Sequence, residues 1–210
     1  MIKLTTQPTD SPLTAQSKWW GQPDMPEDMD YPELTVTDEQ GETYQDPLTF
    51  ICQLRCEELA ALDPEGLLPH TGMLYFFAAL DYFLGDLETP SYPGMGQWQP
   101  QYFRVLYTED CSNLHTHRTL YPDGTPACLP AEAITFSSCH EHGYGIRLLG
   151  RPYLEEVCEQ MPDMISLLQI DEDDRWNLTF HDSGMLNFLI KPEQLLARQW
   201  EQTACYLHSF

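Results

Sequence analysis

Positive charge is what this chain has least of. It carries 10 Lys plus Arg against 33 Asp plus Glu, a formal net charge of -23 over 210 residues. A field of that sign repels phosphate backbones and anionic headgroups, so neither nucleic acid nor an anionic membrane is expected as a partner. No apolar run reaches the roughly 18 residues that a membrane-spanning helix requires. The longest, Met73 to Leu80, is cut off by Asp81. Residues Met1 to Pro8 lack the apolar core of an export signal, so a cytoplasmic location is expected. The 7 cysteines include no C-x-x-C pair, and an odd count in that setting reads as reduced thiols, not a disulfide framework. Sequence motifs for chemistry are missing as well. No G-x-S-x-G, H-E-x-x-H or P-loop occurs, and Leu148 fills the third glycine position after Gly143 and Gly145.

What is present is bulk for a core: 42% apolar residues, with 5 Trp, 11 Tyr and 9 Phe. A phrase also occurs twice. Gly72-Met73-Leu74-Tyr75-Phe76-Phe77 returns as Gly184-Met185-Leu186-Asn187-Phe188-Leu189, an offset of 112 residues. Ahead of each copy stands a second echo, Phe50-Ile51-Cys52-Gln53-Leu54 and Leu167-Leu168-Gln169-Ile170, with Gln53 and Gln169 offset by 116. The expected fold is α+β and β-rich, with mostly antiparallel sheets from two related half-repeats and a few short helices. One domain over 1–210 is expected, with half-repeats at roughly 48–107 and 165–208.

Short strands are predicted at Ile2 to Thr5, Leu34 to Thr37, Leu48 to Leu54, Met73 to Leu80, Gln101 to Tyr107 and Ile134 to Phe136. In the second unit they are predicted at Ile165 to Ile170, Trp176 to Phe180, Met185 to Ile190 and Cys205 to Leu207. Helices are predicted at Glu57 to Leu62, Tyr153 to Met161 and Pro192 to Gln202, the last burying Leu195, Leu196 and Trp200. Gly85 to Pro100 reads as a surface loop, and the Pro-rich stretch 1–47 as a loop or edge region. From Asp24 to Asp46 there are nine acidic residues and no basic one.

Ser17-Lys18-Trp19-Trp20-Gly21-Gln22-Pro23-Asp24-Met25-Pro26 resembles the opening of the YwqG-like family of bacterial proteins. So do Pro47-Leu48-Thr49-Phe50-Ile51-Cys52-Gln53-Leu54, Leu68-Pro69-His70-Thr71-Gly72-Met73-Leu74-Tyr75-Phe76-Phe77, Arg104-Val105-Leu106-Tyr107 and Arg147-Leu148-Leu149-Gly150-Arg151-Pro152. The tail from Leu167 to Glu193 completes the set, and the order is the family's own. Trp20 replaces the first Gly of its usual Gly-Gly, and Leu149 stands where it often has a second Gly. The resemblance implies a β-rich protein of two related halves and supplies no catalytic residues.

Two functional readings follow. The first is a non-enzymatic, acidic interaction module whose partner is a basic protein, such as a toxin domain that it neutralises. Trp19, Trp20, Tyr92, Trp98 and Tyr102, in loops rich in Pro and Gly, are its candidate interface anchors, with Arg147 and Arg151 as carboxylate clamps. It needs no cofactor. The second is a metal- or small-molecule-binding protein, or a hydrolase, built on the His/Cys cluster of residues 111–142. There His115 and His117 share one face of a strand, and Cys139 with His142 closes a tetrahedral metal set. Asp171 to Asp174, which lacks the spacing of a calcium loop, is expected as a solvated turn.

Overall fold

The computed structural model describes residues 1–85 and 92–209. Its strands are β1 (Ile2–Pro8), β2 (Lys18–Trp19), β3 (Asp24–Pro26), β4 (Glu33–Thr37), β5 (Thr43–Pro47), β6 (Thr49–Arg55), β7 (Met73–Ala78), β8 (Gly96–Gln97), β9 (Phe103–Thr108), β10 (Leu114–Thr116), β11 (Glu132–Ser138), β12 (Arg147–Gly150), β13 (Ile165–Asp171), β14 (Gly184–Ile190) and β15 (Ala204–Ser209). Three short helices join them: α1 (Cys56–Leu59), α2 (Glu155–Gln160) and α3 (Pro192–Leu196). Eleven strands form one antiparallel sheet in the order β8-β15-β14-β13-β12-β1-β11-β2-β6-β7-β9, and β3–β10 and β4–β5 form two small separate pairs.

That sheet curls back on itself. Phe76 in β7 and Phe188 in β14 are seven strands apart in the order, so a flat sheet would hold them about 34 Å apart at roughly 4.8 Å per strand. Their rings meet at 5.3 Å. The enclosed core takes the inward residues of both halves, including Leu54, Leu74 and Phe76 from one side and Leu168, Ile170, Leu186 and Phe188 from the other. The outer faces are covered differently. Met73, Tyr75 and Phe77 pack under Met25, Leu34, Val36 and Leu48, whereas Met185 and Leu189 pack under Leu154, Val157 and Met161 of the α2 region. Both β7 and β14 are thus buried on two faces, which is why each reads as an unbroken apolar run without alternation.

The halves repeat residue for residue. Gln53 pairs with Tyr75 and Leu54 with Leu74; Gln169 pairs with Asn187 and Ile170 with Leu186. A register shift lies between Phe50 and Cys52 in β6 and between Ser166 and Leu168 in β13, at equivalent places. One strand further out, Lys18 and Trp19 pair with Gln53 and Cys52, as Arg147 and Leu148 pair with Gln169 and Leu168. The next residue takes a left-handed backbone in both copies, φ 57 at Trp20 and φ 55 at Leu149. These are the two positions that the resemblance assigns to glycine. A bulky side chain there accepts a conformation that costs roughly 1–2 kcal/mol.

Several expectations are corrected. β1 is longer than predicted and lies mid-sheet between β11 and β12, not at an edge. Trp176 to Phe180 is not a strand: Asp174–Trp176 is a tight helical turn, Asn177 turns left-handed at φ 52, and a single bridge joins Asp173 to Leu178. The predicted last helix stops at Leu196. Arg198 takes φ 59, a second short turn follows at Trp200–Gln202, and Leu196 is exposed instead of buried. Residues 86–91 of the expected Gly85 to Pro100 loop lie outside the described residues. Among the described residues, no helix is long and apolar enough to cross a membrane.

Candidate functional site

The strongest polar constellation is built around Asp24, which is 1% exposed. Its Oδ2 accepts from Lys18 Nζ at 2.8 Å, from the Ala15 amide at 2.8 Å and from Gln53 Nε2 at 3.1 Å. Its Oδ1 accepts from Thr116 Oγ1 at 2.7 Å. The Asp24 amide donates to Gln53 Oε1 at 2.8 Å, and its carbonyl accepts from the Tyr75 hydroxyl at 2.7 Å. Burial alone would push this carboxyl up; the hydrogen bonds of Lys18 and Thr116 and the Lys18 charge outweigh it and hold the group below its ordinary 3.8. The Asp24 carboxylate therefore fastens β2, β6 and β10 together, and its backbone carbonyl adds β7. Every donor it meets is already matched, so the arrangement fixes structure and leaves no free base.

The equivalent junction of the second half has the same cation position, but among the described residues no carboxylate pairs with that cation. Arg147 donates to the carbonyls of Gly143 (3.0 Å), Tyr144 (3.1 Å) and Glu141 (2.8 Å), and to Cys139 Sγ at 2.8 Å. Gln169 reaches the carbonyls of Gly143 and Gly145 at 3.0 and 2.9 Å, as Gln53 reaches Gln16 at 2.8 Å. Arg147 is thus a loop-organising residue with its donors used internally. A backbone hydrogen bond at Glu141 and the Arg147 guanidinium hold the Cys139 thiol below its ordinary value. By contrast, burial pushes Cys56 up to about 12 and raises Cys52 and Cys205 well above the ordinary value. Iodoacetamide near neutral pH is therefore expected to alkylate Cys139 before any other cysteine, and Arg147→Met to slow that reaction severalfold. Peptide mass mapping against time checks the order.

The predicted metal set does not assemble. Among the described residues no three His, Cys, Asp or Glu side chains converge on a common point. His115 lies in β10, paired with Met25 of β3, and His117 follows that strand with its ring stacked on Tyr31 at 4.4 Å. Cys139 follows β11 in the large sheet and spends its sulfur on Arg147, while His142 is exposed. The two ends of the set belong to different sheets. At the acidic turn, Asp171 accepts from the Gly145 amide, and Glu172 from the amides of Phe180 and Gly184. Those carboxylates are structural.

The aromatic anchors are corrected too. Trp19, Trp20 and Trp98 are buried at 0, 1 and 3% exposure. Trp19 stacks on Trp176 at 5.7 Å, Trp20 meets the same ring edge-on at 5.4 Å, and Trp176 donates to Glu132 at 3.0 Å. The left-handed step at Trp20 turns two neighbouring indoles into one core. Trp98 stacks on Phe83 and donates to the Gly94 carbonyl. Tyr102 is half-buried, and Tyr92 is exposed beside Tyr82. Arg151 is exposed and paired with Glu155 at 2.6 Å.

With the three tryptophans inside, the distinctive outer surface is the cover of the first half. Glu27, Asp28, Asp30, Glu33, Glu39 and Glu42 are all exposed there, and no Lys or Arg occurs between Lys18 and Arg55. A family model, described as a domain of unknown function, DUF1963, matches residues 17–144 and again residues 132–208. The chain belongs to DUF1963. Its two matched regions fit the repeated halves, each containing one copy of the paired Gln strand and the glycine-led strand. No curated protein matches this DUF1963 chain. Sequence reasoning missed the Asp24 junction because a carboxylate inside an acidic run carries no mark of burial. The one signal was Lys18, the lone cation nearby.

Proposed function

We propose that this protein is a non-enzymatic interaction module that binds a basic protein through its acidic surface. The observation that carries the reading is the one-sided charge of the first half's cover, where Glu27, Asp28, Asp30, Glu33, Glu39 and Glu42 are exposed and no Lys or Arg occurs between Lys18 and Arg55. The chain's own cations are largely engaged elsewhere. Lys18 is held by Asp24, Arg55 by Glu57, Arg151 by Glu155 and Arg175 by Asp173, while Arg147 and Arg198 bind backbone carbonyls. Neutralisation of a basic toxin domain is one role that such a surface serves. The ordered motifs support placing the chain in the YwqG-like branch, and seven free cysteines support a reducing, cytoplasmic setting.

Affinity capture at graded salt tests the reading. Proteins retained at low ionic strength are expected to be strongly basic, with association rates that fall roughly ten- to a thousandfold as salt screens the field. Retention that ignores salt, or a captured set without basic bias, would sink it.

A further inference from the structure

We propose that the outer edge of β5 takes up an extended, lysine- or arginine-bearing segment of a partner protein as an added strand. This deepens the reading above and rests on it. Among the described residues β5 pairs only with β4, and neither strand belongs to the large sheet. The direction of its backbone groups follows from the hairpin. The Asp38 amide donates to the Glu42 carbonyl at 2.9 Å, so the pairs Val36–Tyr44 and Leu34–Asp46 are the hydrogen-bonded ones by antiparallel alternation. Thr43 and Gln45 therefore turn their N–H and C=O groups away from β4. Pro47 occupies the next outward position, where a missing N–H leaves the ladder intact, as is usual at a sheet edge. The side chains of Thr43, Tyr44 and Gln45 are all exposed, and among the described residues no second strand pairs along this edge.

An open edge is a template for any strand, and charge decides which. Glu33, Glu39 and Glu42 flank the hairpin with no cation of the cover to offset them. A second copy of this chain would bring the same carboxylates face to face, which costs association. A cationic strand gains on both counts: backbone pairing along the edge, and alternate side chains directed to acidic neighbours. Tyr44, 42% exposed beside the edge, offers a ring to the aliphatic stem or charged head of a lysine or arginine.

The test uses the full chain and a short peptide alternating Lys and Val, with a Glu–Val peptide as control. Hydrogen exchange is read residue by residue, and affinity by fluorescence anisotropy at low and high salt. Lys–Val binding is expected to slow exchange at the Thr43 and Gln45 amides, to weaken about tenfold or more at high salt, and to be absent for Glu–Val. Gln45→Pro removes one outward N–H and the exposed side-chain bond to Thr35 while leaving the β4–β5 backbone ladder its bonds; it is expected to weaken binding about tenfold while keeping the salt dependence. Exchange is measured on the unaltered chain, so the outcome does not hang on how the variant folds. Salt-dependent binding that leaves Thr43 and Gln45 unprotected, or a folded Gln45→Pro of unchanged affinity, overturns the edge site but leaves the acidic module standing. No Lys–Val binding at all defeats both. Dimerisation by sedimentation, with the same two amides protected in the absence of peptide, overturns the heterologous partner in favour of a second copy.

Discussion

Asp24→Ala is expected to cost about 3–5 kcal/mol of folding stability, because it strands the buried Lys18 ammonium without its counter-charge. It also takes the acceptor from the part-buried bonds of the Ala15 amide and Thr116 Oγ1, and one of two from the buried Gln53 Nε2, which keeps the Gln16 carbonyl; each loss adds to the cost according to its burial. Asp24→Asn keeps an oxygen in place, and Lys18→Met keeps three neutral donors on the carboxylate. Both should therefore lose less than the alanine variant. Urea denaturation orders the three variants through their midpoints. The same carboxylate fixes the sign of an acid effect. Its folded pKa lies below the ordinary 3.8, so its contribution is complete above that value and is lost as pH falls toward the folded one. As pH falls through the ordinary 3.8 and below, the parent chain should lose more stability than Asp24→Asn. Equal losses in the two proteins, or an alanine variant as stable as the parent, would show that Asp24 is not the fastener of the first half.

The repeated strands were legible because burial on two faces demands an unbroken apolar segment, and two such segments carry the same glycine and a paired Gln strand. What the sequence does not display is curvature. Nothing in Phe76 or Phe188 says that their rings meet across a sheet bent back on itself. Trp19 and Trp20 misled for a related reason. Aromatics next to Gly and Pro read as loop residues, and only the left-handed backbone at Trp20 explains how adjacent indoles enter one core. The acidic run from Asp24 to Asp46 looks uniform as text; in space Asp24 is sealed while Glu39 and Glu42 face solvent. The His/Cys cluster was a proximity in sequence alone, since β10 and β11 belong to different sheets.

Gly72→Ala and Gly184→Ala should each cost about 2–4 kcal/mol, for the same steric reason in both halves. Met73 pairs with Thr108 and Met185 with His208, so each glycine enters its strand beside the equivalent position of the third strand. A methyl group on Gly72 would collide with the Thr108 carbonyl oxygen and lie 2.9 Å from the Tyr107 ring; one on Gly184 would lie 2.6 Å from the His208 carbonyl oxygen and 2.8 Å from Phe180 Cβ. Backbone oxygen cannot step aside without breaking the ladder that holds it. Gly72 also has φ +90, which adds backbone strain that Gly184 does not share, so Gly72→Ala is expected to be the worse of the two. Gly66 separates the causes. Its φ is +66 and nothing lies within 4 Å, so Gly66→Ala measures the conformational cost alone, about 1 kcal/mol. Chemical denaturation of the three variants should rank them Gly72, Gly184, Gly66 in falling cost. If Gly184→Ala matched Gly66→Ala, close approach would not be what requires glycine at the head of both strands.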